Sequence, residues 1–169
     1  MNPRYLGAIF VAAASTTFGV IPVLNLRRHI RLLDGLCSSL RIMAAELGTR
    51  LRPLPELICE LAAKGGTAGA FYGCLAEKLQ RLGETDFSAL WSDSIEGLAL
   101  LSADELSALD SLGTVLGRYE LNEQLESIEL CLDALSRSAA LLRESYPDRR
   151  RLLLGLSAAA GFMTLIVLI

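Results

Sequence analysis

Residues 125–142 read LESIELCLDALSRSAALL. Leu125, Ile128, Leu132, Leu135, Ala139 and Leu142 recur at alternating steps of three and four, which puts them on one stripe of a 3.6-residue helix. Glu123, Glu126, Glu129 and Asp133 fall off that stripe, on the side suited to water. The steps also fit coiled-coil heptads. The short helical segments upstream, however, carry enough apolar surface to cover the stripe, so an intramolecular bundle is the expectation.

Working back from that helix, the same signal repeats. Leu33, Leu36, Leu40, Met43 and Leu47 are spaced by three, four, three and four and predict a helix over 26–51. Arg52-Pro53-Leu54-Pro55 interrupts it, and Pro55 suits the first turn of a helix over 56–64. Gly65-Gly66 stops that helix; the next runs over 68–82 and ends at Gly83. Asp86 is placed to cap a helix over Phe87–Leu98, which holds the single tryptophan, Trp91. Ser102-Ala103-Asp104-Glu105 has capping-box spacing ahead of Leu106, Leu109, Leu112 and Leu116, and Gly117 closes that helix. No sustained period-two alternation predicts a strand. The expected fold class is all-α: a compact bundle of about six helices flanked by N- and C-terminal transmembrane helices.

The flanking segments carry most of the apolar excess in a chain that is 52% hydrophobic. Leu6–Leu26 is uncharged and about 31 Å long as a helix. Gly7, Ala12–Ala14, Ser15–Thr17 and Gly19 would let another helix approach closely, and Pro22 is expected to kink or end the segment. At the other end Arg149-Arg150-Arg151 precede Leu152–Ile169, another uncharged run; about 17–20 apolar residues suffice to span a bilayer. Pro147, just ahead of these arginines, is expected to bend or break the entry into it. The domain expectation is 1–5 as a short extracytosolic N-terminus, 6–26 and 152–169 as transmembrane helices, and 27–151 as a cytosolic helical domain. Arg27, Arg28, Arg31, Arg149, Arg150 and Arg151 determine that orientation through the positive-inside bias, with both termini outside. The competing reading is a secretory leader cleaved after residues 1–14. Only Leu6–Val11 precede Ala12–Ala14, which is short for its apolar core.

Charge and chemistry narrow the function. Residues 53–146 contain six basic and sixteen acidic side chains, a surface that repels nucleic acid and suits a basic protein partner. The densest acidic run, Glu120, Glu123, Glu126, Glu129 and Asp133, is the candidate partner interface. His29 stands among arginines beside the first apolar run and reads as a solvated or headgroup residue. Cys37, Cys59, Cys74 and Cys131 have no metal-like spacing and read as reduced, buried thiols. No phosphate loop or catalytic constellation is present. The expectation is therefore no catalytic residue, no metal, no cofactor, and no enzyme activity.

In their order, these segments resemble the stage III sporulation protein AB family of endospore-forming bacteria. The resemblance runs through Leu6-Gly7-Ala8-Ile9 and Ala14-Ser15-Thr16-Thr17-Phe18-Gly19, then Glu46 with Pro53-Leu54-Pro55-Glu56-Leu57, and Phe87 with Trp91. It continues through Leu101-Ser102-Ala103-Asp104-Glu105 and Leu116-Gly117-Arg118 with Gln124, and closes with the basic collar and terminal apolar helix. It covers essentially the whole chain. It implies a fold like one cytosolic domain of the type II secretion F protein, with Pro53, Pro55, Leu116, Gly117 and Gln124 as structural motif positions. It also implies a non-enzymatic platform in the membrane channel complex joining mother cell and forespore, located in the mother-cell membrane around the forespore. The implied partners are a sporulation AA-type secretion ATPase, other membrane proteins of that complex and the lipid bilayer; self-association is left open. The alternatives are a general type II secretion or type IV pilus F-like platform subunit, or a secreted helical binding module after loss of residues 1–14.

Overall fold

The structure, a computed structural model, describes the backbone of residues 3–50, 52–81 and 85–168, and within these the side chains of 24–49, 52–80, 85–145 and 155. Six α-helices account for nearly all of it: α1 (Pro3–Arg50), α2 (Leu54–Lys64), α3 (Gly69–Lys78), α4 (Phe87–Ile95), α5 (Ala103–Val115) and α6 (Leu121–Leu168). A short 3-10 turn, Leu79–Arg81, extends α3, and no strand element occurs among the described residues. The chain divides into two compact units, Met1–Arg28 with Leu141–Ile169, and His29–Ala140. Helices α1 and α6 contribute to both.

The stripes predicted from spacing supply much of the core of His29–Ala140. Leu33, Leu36, Leu40, Met43 and Leu47 of α1 are all buried, as are Leu109 and Leu112 of α5, Leu116 just after it, and Ile128, Leu135 and Ala139 of α6; Leu106, Leu125, Leu132 and Leu142 are only half-buried. At the centre stands Trp91, fully buried. Its indole Nε1 donates to the Leu109 carbonyl at 2.8 Å, which satisfies the one polar atom that its burial would otherwise strand. Phe71 meets it edge-on, with ring centroids 5.2 Å apart, and Tyr72 packs against Phe71 at 4.9 Å. The Tyr72 hydroxyl is buried without a hydrogen bond of good geometry. Its neighbour Ser39 donates its own proton to the Gly35 carbonyl at 2.9 Å. Burial pushes the Tyr72 phenol well up, and Ser39 offsets only part of that.

Helix ends follow local chemistry, with some departures from the sequence expectation. Ser102 and Glu105 form the full capping box of α5. Asp86 occupies the N-cap of α4 but makes no capping hydrogen bond; its carboxylate instead accepts from Ser88 at 2.9 Å and pairs with Arg118 at 2.6 Å. Helix α4 stops at Ile95, short of the expected Leu98, because Glu96-Gly97 turn the chain. The expected stop at Gly83 lies outside the described residues.

Neither proline ends its helix, which sets aside the breaking alternative at each site. Helix α1 continues through Pro22, and α6 continues through Pro147. Each proline removes a single interior backbone bond. Helix on both sides of it retains the remaining ladder, so in an element of 48 residues one missing bond need not end the helix. Among the described residues no helix is long and apolar enough to cross a membrane. The expected anchors at 6–26 and 152–169 fall mostly on side chains outside the described ones, on backbone that belongs to α1 and α6.

Candidate functional site

Burial of the α6 stripe decides what the rest of α6 presents. Glu123, Glu126, Glu129 and Asp133 are exposed, as is Glu120 just ahead of the helix. Asp133 pairs with Arg137 one turn on, at 2.9 Å, an exposed pair worth only a few tenths of a kcal/mol. Glu120, Glu123, Glu126 and Glu129 make no ion pair among the described residues. Two large apolar side chains lie in the same stretch, Tyr119 at 55% and Leu130 at 66% exposure. The face is therefore acidic with apolar points in it, and none of its carboxylates is needed to hold α6 in place.

The corner leading into this face is built by Gln124. Leu116 is buried and Gly117 has a φ of +77°, which only glycine adopts without strain. The Gly117 N–H donates to Gln124 Oε1 at 3.2 Å, and Gln124 Nε2 donates to the Tyr119 carbonyl at 2.7 Å. One amide side chain thus satisfies the turn from both ends. At the α1–α2 corner Pro53 is the N-cap residue of α2 and Pro55 sits in its first turn. Arg52 reaches Glu60 at 2.7 Å and Glu46 at 3.7 Å, which ties α2 back to α1. Arg52 was not singled out by spacing because an arginine beside two prolines carries no helix-face signal.

Of the arginines expected to set a membrane orientation, Arg27, Arg28 and Arg31 are exposed; the side chains of Arg149, Arg150 and Arg151 lie outside the described residues. His29, between them in sequence, behaves differently. It is only 15% exposed, and its Nε2 lies 2.7 Å from Glu105 Oε2, so the expectation of a solvated or headgroup histidine is corrected. The reason is rotational: on α1 residue 29 precedes Leu33 and Leu36 on the inward face, while 27, 28 and 31 point out.

Glu105, 3% exposed, is the other residue that sequence reading undervalued. It was legible as a capping-box glutamate, a position that is usually half in water. Here its Oε2 accepts from the Ser102 N–H at 2.7 Å and from His29, and its Oε1 accepts from the Ser138 hydroxyl. Burial by itself would raise the carboxyl pKa; the hydrogen bonds from Ser138, Ser102 and His29 outweigh it, and the net shift is downward. A lowered folded-state pKa contributes stability above the unfolded value of about 4.3, and that contribution is lost as pH falls through the folded value. Denaturant titrations of wild type and Glu105→Gln should therefore differ in their acid limb. The wild type loses a further increment of stability below about pH 4.3 that the variant lacks; equal slopes would remove Glu105 from the acid response.

No disulfide joins the four cysteines, and only Cys37 and Cys131 are buried; Cys59 and Cys74 are exposed. The expectation of four buried thiols is corrected for these two. On α2 the inward residues are Leu57, Ile58 and Leu61, which leaves 59 pointing out, and on α3 Phe71, Tyr72 and Leu75 do the same to 74. Burial, with Cys37 nearby, pushes the Cys131 thiol up to about 12, a setting for packing rather than reactivity. No group of three His, Cys, Asp or Glu among the described residues could hold a metal ion.

Fold and surface together define an all-helical bundle with an aromatic centre, a buried carboxylate and an acidic outer face. The family model of stage III sporulation protein AB matches residues 4–169, and the chain belongs to that family. A solved structure of a stage III sporulation protein AB (SpoIIIAB) is similar to 71% of this chain and 97% of its own, with a TM-score of 0.63 and 21% identity; at that identity the likeness speaks for the fold. No curated protein matched the sequence.

Proposed function

We propose that this protein is a non-enzymatic platform of the stage III sporulation machinery. Its outer α6 face, Glu120 to Asp133, docks a basic surface on a cytosolic secretion ATPase. The helices leading to 6–26 and 152–169 hold the bundle at the mother-cell membrane, with the bundle in the cytosol and both termini outside. ATP hydrolysis belongs to the partner; this chain supplies a fixed seat. Family membership supports the sporulation setting. The observation that carries the docking reading is the exposed acidic face whose four glutamates lack ion pairs among the described residues: charge left unneutralised there is available to a cationic partner.

The test is binding of the full-length chain, in detergent micelles, to purified AA-type sporulation ATPase across a salt series. Association should be tightest at low ionic strength and weaken as salt screens the face. Triple reversal at Glu123, Glu126 and Glu129 to lysine should slow association by about tenfold or more. Binding unchanged by both treatments would move the docking surface off α6, and absence of binding at low salt would end the ATPase reading.

A further inference from the structure

The hydrophobic core does not extend along the whole of the two long helices. From 24 to 31 α1 buries no side chain fully, and from 140 to 145 α6 buries none. The last buried apolar residues before those stretches are Leu32 on α1 and Ala139 on α6. The Glu105 hub occupies that limit. His29 opens the unit His29–Ala140 on α1, and Ser138 stands two residues from its close on α6. The single carboxylate of Glu105 bonds both. Its own place is fixed by the N-terminus of α5, through the reciprocal bonds with Ser102.

We propose that Glu105 is the hub of a polar clasp that holds α1 against α6 at the edge of the core, and that the clasp opens without disturbing the aromatic centre around Trp91. Apolar packing is cooperative and non-directional, so it resists local opening. A contact made of three directed bonds to one carboxylate is all-or-none: losing one member leaves a buried charge under-satisfied and weakens the rest. Such a contact closes or releases two helices at one edge while the remainder of the core stays packed. On the membrane reading proposed above, the clasp lies on the bundle's own residues, where α1 and α6 leave its core.

The test reads the bundle's own amides and stands apart from membrane placement and ATPase binding. Hydrogen exchange of the full chain in detergent micelles is compared for wild type, Ser138→Ala, Glu105→Gln and Gly113→Ala, the last as a core-directed control. With the clasp variants, protection at 29–34 and 134–140 should fall about tenfold more than protection in α4 and the middle of α5. Gly113→Ala should lower protection in α4 and α5 at least as much as at the clasp. Should Glu105→Gln fail to fold, Ser138→Ala, which removes one hydroxyl, carries the comparison. A uniform loss in Ser138→Ala like that of Gly113→Ala, or no loss at 29–34 and 134–140, would overturn the proposal.

Discussion

Replacing Trp91 with alanine should remove about 3–5 kcal/mol of stability, the usual loss for truncating a buried indole. A domain of this size holds roughly 5–15 kcal/mol in all, so the variant would sit near the edge of folding. Several losses combine. The apolar area of a fully buried ring goes, the edge contact to Phe71 at 5.2 Å goes, and the tilted contact to Phe87 at 5.9 Å goes with it. The Leu109 carbonyl also loses its donor inside helix α5. The measurement is the urea midpoint of the full chain in micelles, followed by tryptophan-independent circular dichroism. A shift equivalent to less than about 1 kcal/mol would mean the core closes over the site, contrary to its tight packing.

The converse experiment adds one methyl group to the same place. Gly113 of α5 lies against the indole, and a Cβ there would stand 2.7 Å from Trp91 Cγ and 2.8 Å from its Nε1, with Cδ1 closer still. Helix propensity alone favours alanine over glycine by about 1 kcal/mol. Here the collision is with a ring held by Phe71 on one side and by its bond to Leu109 on the other, so it cannot swing aside. Overpacking of this kind costs about 1–3 kcal/mol, and the net effect of Gly113→Ala is destabilising. Combining it with Trp91→Ala, which removes all three of those ring atoms, should cost less than the sum of the two single changes. The coupling between the two sites should be about 0.5–3 kcal/mol. Additive effects would show that Gly113 and Trp91 do not share the space.

These two residues mark the limit of what spacing reveals. The leucine stripes of α1, α5 and α6 were legible because a period of 3.6 is written in residue type alone. The capping box of α5 and the Gly-Gly stop after α2 were legible because their chemistry is local. That Gly113 faces the Trp91 indole was not, since a glycine inside a helical pattern gives the same signal whether it faces a ring or water. The same holds for His29 and Glu105, which lie 76 residues apart and carry no pairing mark. His29 was read from its arginine neighbours in sequence, whereas its surroundings in space are set by its angle on α1. The acidic run of α6 was legible as a face. Whether Pro22 or Pro147 ends its helix was not legible either, because a per-residue penalty takes no account of how much helix flanks it.

The Gln124 side chain has a consequence for how such a protein can change over time. It secures the corner between α5 and α6 through neutral bonds to Gly117 and Tyr119, and the core stripe anchors the helix beyond. Glu120, Glu123, Glu126 and Glu129 are left with no structural duty among the described residues. The side chains that hold this corner and the carboxylates of the proposed docking face are thus different residues of one stretch. On the docking reading proposed above, substitutions on the outer face would retune the match to a partner, one charge at a time, while the scaffold beneath keeps its geometry.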